Sequence, residues 1–245
     1  MEKINNIYCI EGINADSNSY LIGNILVDTG IGLKPNNLLN KLNEINVKPT
    51  DIDLIINTHN HFDHVGGNYL FPNAKIAIGV NDSEAILNNN DNLTLSKLFF
   101  NKLKRTDVDI KLYENDKIHD IFLKISMDNK NNDSKQNNSK FLKNKENNKE
   151  NNKEKIDDFY VLETPGHTSG GICLYDGETL ISGDTVFTNG GFGRVDLGGN
   201  YSDMENSLKK LNELNVEYIL PGHGSWANNG KQHIKMALNS FLTNL

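Results

Sequence analysis

The stretch Thr58-His59-Asn60-His61-Phe62-Asp63-His64 carries three imidazoles and a carboxylate almost side by side. Histidine is the commonest metal-binding side chain, and aspartate adds the hard oxygen donor that suits a divalent cation. Upstream, Ile52, Leu54, Ile55 and Ile56 read as a buried strand; downstream, Val65-Gly66-Gly67-Asn68 reads as the start of a short helix. The cluster therefore falls on a strand-to-helix turn, where several side chains can converge on one point. His59 and His61 share a side if the backbone there is extended, and Asp63 and His64 follow round the bend, placed to serve a second ion. A polar turn with chance histidines does not account for this density.

Three later stretches repeat the arrangement. Thr164-Pro165-Gly166-His167-Thr168 follows the strand-like Phe159–Leu162, Ser182-Gly183-Asp184-Thr185 follows Thr179–Ile181, and Pro221-Gly222-His223-Gly224 follows Tyr218–Leu220. Each places one ligand-competent side chain just past a strand, among glycines that let the backbone come close. His119 and His233 lie outside these motifs and read as surface residues.

In these motifs (His-x-His-x-Asp-His at 59–64, then His167, Asp184 and His223, in that order) the chain resembles the metallo-β-lactamase superfamily, from about Ile4 to about Trp226. Gly183-Asp184-Thr185 and Gly193-Arg194-Val195-Asp196 look most like its glyoxalase II-like, hydroxyacylglutathione hydrolase-like branch, with Val195 where that branch usually has Thr. The resemblance implies an α/β fold, a four-layer αββα sandwich in a single domain, with two mixed sheets face to face and the ligands at one rim. It further implies two divalent metal ions, Zn2+ in the first instance, with Fe or Mn as alternatives. His59, His61 and His167 would hold one ion, Asp63, His64 and His223 the other, and Asp184 would bridge them.

Zinc-bound water has a pKa near ~7, so a hydrolytic nucleophile is available at neutral pH without Ser or Cys. The expected activity is therefore that of a binuclear metal-dependent hydrolase using a metal-bound hydroxide. The resemblance points to a thioester or related small ester as substrate, with Asp63 as catalytic residue as well as ligand. Only a short segment follows His223, so the acyl carrier is expected to be a thiol other than glutathione. A mononuclear iron persulfide dioxygenase, which resembles the same branch, is the competing enzyme class. A non-catalytic metal-binding module is the third reading, disfavoured because all seven ligand positions carry competent residues. Flavodiiron proteins resemble His-x-Glu-x-Asp, and position 61 is His. Arg194 is read either as the partner of Asp196 or as a substrate-carboxylate ligand, pairing being the commoner fate.

The net charge of −7 argues against a general nucleic-acid surface and, with no basic arm outside the insertion described below, against an RNA-processing nuclease. No basic amphipathic helix, leader or long apolar span is visible, so the expectation is a cytoplasmic protein acting on a small molecule, without nucleic-acid or membrane partners. Cys9 and Cys173 sit in apolar strand patterns and read as buried thiols.

Along the chain, strands are expected at 7–10, 18–22, 25–28, 52–56, 75–80, 110–113 and 118–125. Asp28-Thr29-Gly30 reads as a turn that supports the ligands rather than as a ligand itself. Pro35 should open a helix through Leu38, Leu39, Leu42 and Ile45, and Asn81-Asp82-Ser83-Glu84 another; helices are also expected over 91–105, from a capping box at Ser202–Glu205, and over 231–242. Leu95, Leu98, Phe99 and Leu103 are assigned to core packing, with a substrate lid as the minority alternative.

The one domain, 1–245, is interrupted at 128–156 by a stretch of mainly Asn, Lys, Ser and Glu, which buries too little apolar surface to offset chain ordering and is expected to be disordered. Long insertions add little closure entropy. Deleting residues 129–154 is therefore expected to leave metal content and activity nearly unchanged. Mass spectrometry for metals and a melting curve check this, and a large loss in either would assign the insertion a structural or lid role.

Overall fold

The computed structural model describes residues 1–33, 36–133 and 159–243. The first sheet holds seven strands in chain order: β1 (Glu2–Ile4), β2 (Ile7–Ile10), β3 (Ser19–Ile22), β4 (Ile25–Val27), β5 (Leu54–Asn57), β6 (Lys75–Gly79) and β7 (Ile110–Leu112). Its first four strands pair antiparallel, and β4 through β7 run parallel. The second sheet has the order β11-β10-β9-β8, from β8 (Tyr160–Glu163), β9 (Ile172–Tyr175), β10 (Thr179–Gly183) and β11 (Tyr218–Pro221), with only β10 and β11 parallel. The helices are α1 (Asn37–Glu44), α2 (Phe62–Val65), α3 (Val80–Leu87), α4 (Ile118–Asp133), α5 (Tyr201–Asn212) and α6 (Gly230–Thr243).

Side-chain alternation along the strands sorts the residues into layers. Leu54 and Ile56 of β5 face the second sheet and pack with Val161, Ile172, Leu174, Ile181 and Leu220. Their neighbour Ile55 faces the other way, onto Leu38 and Leu42 of α1. On the far side, Leu162, Cys173, Leu180 and Ile219 meet Leu208 and Leu211 of α5 and Ile234, Ala237 and Phe241 of α6. Helix, sheet, sheet and helix follow in that order, which is the expected αββα sandwich. Both cysteines are buried and free.

Several elements differ from expectation. Residues 118–125 form the start of α4 rather than a strand. Ile118, Ile121, Phe122 and Ile125 recur at helical spacing, and this apolar stripe packs into the core between the sheets. Fully burying one such side chain is worth about 1.5–3 kcal/mol, more than the β preference of isoleucine. Helix α4 continues to Asp133, inside the first residues of the low-complexity stretch; the rest of that stretch lies outside the described residues, as does Pro35.

The helix expected over 91–105 reduces to a 3-10 turn at Ser96–Phe99, flanked by Leu95 and Phe100 with φ of 56° and 50°. Asparagine side chains capture the backbone here. Asn90 Oδ1 accepts from the amides of Asn92 and Leu93, and Asn101 Oδ1 from that of Lys102. Of the apolar residues assigned to packing, Phe99 and Leu103 do pack, beside Phe62 and Ile86, whereas Leu98 is exposed. Helix α2 starts at Phe62, ahead of the expected Val65, so Asp63 and His64 lie inside it. The cap of α5 is Asn200, which accepts from the Asp203 amide, not a box at Ser202.

Candidate metal centre

The four ligand-bearing loops leave the carboxyl ends of β5, β8, β10 and β11, so the sandwich gathers them at one rim. Strand β5 delivers His59 and His61 before the chain turns into α2 with Asp63 and His64. At the end of β10 the register with β11 shifts between Ile181 and Gly183. Gly183 then takes φ of +48°, a left-handed value that glycine adopts without strain, and Asp184 turns inward from it. Gly222, just before His223, lies so close that a Cβ there would overlap the Asp184 carboxylate and the His64 ring.

The seven predicted residues meet as three overlapping donor sets: His59, His61 and His167; His59, His64 and Asp184; and Asp63, His64 and His223. In each, the ligand atoms lie within 4.8 Å of one another. Asp184 stands between the sets, its Oδ1 3.3 Å from His64 Nε2 and its Oδ2 3.6 Å from both His167 Nε2 and His223 Nε2. Asp63 Oδ2 is 3.2 Å from His223 Nε2. The Nε2 atoms of His59, His64 and His167 and Oδ1 of Asp184 are buried with no hydrogen-bond partner among the described residues. Buried polar atoms are rarely left so. Lone pairs from imidazole and carboxylate converging in this way are the donor set that a divalent transition-metal ion takes.

The far side of each ring is fixed by the protein. His64 Nδ1 donates to Asp28 Oδ2 at 2.8 Å. The Thr58 hydroxyl donates to the same oxygen at 2.7 Å and lies 3.1 Å from His59 Nδ1, from which it accepts. One carboxylate thus sets the tautomer of a ligand in each set, leaving both Nε2 atoms turned inward. His167 Nδ1 donates to the Arg194 main-chain carbonyl at 2.7 Å. Asn18, which the sequence reading passed over, holds the His223 loop by donating to the carbonyls of Pro221 and Gly224 at 2.9 and 2.7 Å.

Burial, helped by neighbouring imidazoles, pushes His61 down to about 3 and His59 well below the ordinary range, so both are neutral and ready to ligate. Burial alone would raise Asp184, but His64, His223 and His167 hold it well below the usual carboxylate range. Asp63 is likewise held low against the effect of burial, by the His223 hydrogen bond and the nearby His64. His64 goes the other way: burial disfavours its charge, yet the Asp184 and Asp28 carboxylates raise it well above the ordinary value.

Arg194 pairs with Asp196 through two hydrogen bonds of 2.9 and 2.6 Å on the exposed surface. It touches the centre only through its main-chain carbonyl. His233, read as a surface residue, is half-buried and accepts the Asn189 amide at 2.9 Å, holding the glycine-rich loop. Arg194→Lys keeps the carbonyl and the charge but loses the fork, and surface pairs contribute little. The melting temperature is expected to fall slightly and the Michaelis constant to stay level. A rise in that constant confined to carboxylate-bearing substrates would move Arg194 into substrate binding.

An αββα sandwich with overlapping histidine and aspartate donor sets at one rim has the metallo-β-lactamase fold. The chain belongs to the Metallo-beta-lactamase superfamily, whose profile matches residues 14–223. Over 225 residues it is 33% identical to "Probable metallo-hydrolase MJ0888" of Methanocaldococcus jannaschii, covering 88% of this chain and 91% of that protein. A shorter stretch of 63 residues is 46% identical to a hydroxyacylglutathione hydrolase of Enterobacter sp., covering 26% of this chain and 24% of that one. The crystal structure of TTHA1623 in a di-iron-bound form shares the fold, with a TM-score of 0.64, 22% identity, and coverage of 92% of this chain and 96% of that one. Among the described residues no helix is long and apolar enough to cross a membrane.

Proposed function

We propose that the protein is a metal-dependent hydrolase with two divalent ions, acting on a thioester or a related small ester. The observation that carries the reading is the convergence of the unpartnered Nε2 atoms of His59, His64 and His167 with Asp184 Oδ1. His59, His61 and His167 make the first site, Asp63, His64 and His223 the second, and Asp184 serves both. When bound, the ions supply Lewis acidity toward the substrate oxygen and lower the pKa of water.

The chain supplies the rest. Asp28 and Thr58 hold His64 and His59 in the ligating tautomer. Asp63 stays ionised and partly open to solvent, placed to take a hydrogen bond from an attacking water and so orient it. The similarity to the M. jannaschii metallo-hydrolase supports hydrolysis, and the 46% identical stretch shared with hydroxyacylglutathione hydrolase supports a thioester.

The test is metal analysis of freshly purified protein, together with a panel of thioesters, lactones and phosphodiesters. Two equivalents of divalent metal with thioester cleavage are expected. Protein loaded with metal that cleaves none of the panel would refute the hydrolase. One iron with oxygen uptake on a persulfide would replace it with the dioxygenase.

A further inference from the structure

Asp82 lies in the first turn of α3, is fully buried, and belongs to none of the three donor sets. Its Oδ2 accepts from the Asn60 amide at 3.0 Å and the Thr168 hydroxyl at 2.7 Å. Its Oδ1 accepts from the Gly170 amide at 2.7 Å and the Ser169 hydroxyl at 3.4 Å. Asn60 sits between His59 and His61, and Thr168 follows His167. One carboxylate therefore joins the loop that leaves the first sheet to the loop that leaves the second. Its four hydrogen-bond donors among the described residues lie at Asn60, between His59 and His61, and at 168–170, just after His167, and none lies on the loops of Asp184 or His223. The contact is close: a Cβ on Gly170 would overlap the Asp82 carboxylate and the backbone of α3.

We propose that Asp82 is the positioning residue of the first metal site, setting the distance between the His59–His61 turn and His167 from opposite sheets. The inference rests on the two-metal reading above. A buried carboxylate with two acceptor oxygens is suited to the task, because each oxygen can take a main-chain amide from a different sheet. An asparagine has the same shape but only one acceptor. Whichever way its amide points, its NH2 faces either the Asn60 or the Gly170 amide, and one loop is released.

The test uses the full chain, stripped of metal and titrated with Co2+. Calorimetry would follow the two binding steps, and visible absorption would report cobalt geometry. Asp82→Asn is expected to weaken one equivalent by roughly ten- to a hundredfold and to change that cobalt's absorption, with the other equivalent little affected. Asp109→Asn is the structural control. Asp109 also accepts a main-chain amide, that of Ile76 at 2.9 Å, but at the strand ends away from the metal rim. It is expected to lower the melting temperature without altering either binding step. If Asp82→Asn does not fold, Thr168→Val removes a single donor and should weaken the same equivalent by a smaller factor. Variants at Asp82 and Thr168 that bind both equivalents as the unaltered protein does would overturn the proposal. So would a weakening of both equivalents alike, in proportion to lost thermal stability. Unaltered protein that takes up no cobalt would overturn the two-metal reading itself.

Discussion

His61→Ala is expected to lower hydrolytic turnover by on the order of a thousandfold or more while the protein still folds. The imidazole is buried against its fellow ligands, its ring centre 4.7 Å from that of His59 and 4.5 Å from that of His167. The substitution removes one of three nitrogens from the first site and leaves the backbone unchanged. That backbone matters locally, because the His61 carbonyl accepts from the amides of His64 and Val65 and so starts α2. Alanine keeps those bonds, and the side chain lies at the rim rather than in the apolar layers, so the sheets lose no packing. Circular dichroism should show an intact fold, metal analysis a deficit of one equivalent, and kinetics a collapse in kcat. Turnover unaltered in the mutant would sink the first-site assignment, whereas loss of the fold would mean that the histidine cluster supports the structure.

Removing metal is expected to lower the melting temperature by roughly 8–16 °C. A ligand at a thousand times its Kd stabilises the folded state by about 4 kcal/mol, and for a chain of this size each kcal/mol moves the midpoint by about 2–4 °C. The stripped protein must also bury converging lone pairs and carboxylates with no cation between them. The gap should depend on pH. In stripped protein Asp184 and Asp28 raise His64 well above its ordinary value. The stabilisation this gives is fully present below the unfolded value of ~6.5 and is lost as pH rises through the elevated folded one. A cation at His64 Nε2 must displace that proton, so metal binds more weakly in acid. His61, pushed down to about 3, contributes the opposite way: its stabilisation is present above ~6.5 and lost as pH falls toward the folded value. The difference in melting temperature between loaded and stripped protein should therefore widen from about pH 6 to about pH 8. A gap that stays constant or narrows would show that His64 is not a ligand.

The candidate ligands that converge at the rim were legible because they follow apolar strands, three of the four groups among glycines, a local pattern that needs no contact information. The αββα layering followed from the resemblance those motifs carry, and buried strands were visible as short apolar runs such as Leu54–Ile56. The supporting residues were less legible. Asp28 stood out through its Asp-Thr-Gly turn, but its hold on both His64 and, through Thr58, His59 depends on side chains brought together across β4 and β5. Asp82 read only as an acidic residue at a helix start, and its partners at 168–170 are some 87 positions away in sequence. Asn18 reaches the His223 loop across more than 200 positions.

Two segments were misread for opposite reasons. The isoleucines of 118–125 suggested a strand by residue type, although the spacing of Ile118, Ile121, Phe122 and Ile125 was helical, and burial between the sheets rewarded the spacing. Over 91–105 the leucines suggested a helix, but neighbouring asparagines offered the backbone closer partners and broke it into turns. By itself, then, the sequence determined which residues can ligate metal and in what order they appear, since donor chemistry and strand-end position are local properties. Only the tertiary structure decided which nitrogen of each imidazole faces inward and which loops are tied together. Those choices depend on hydrogen bonds between groups far apart in the chain, which form only when the two sheets pack face to face.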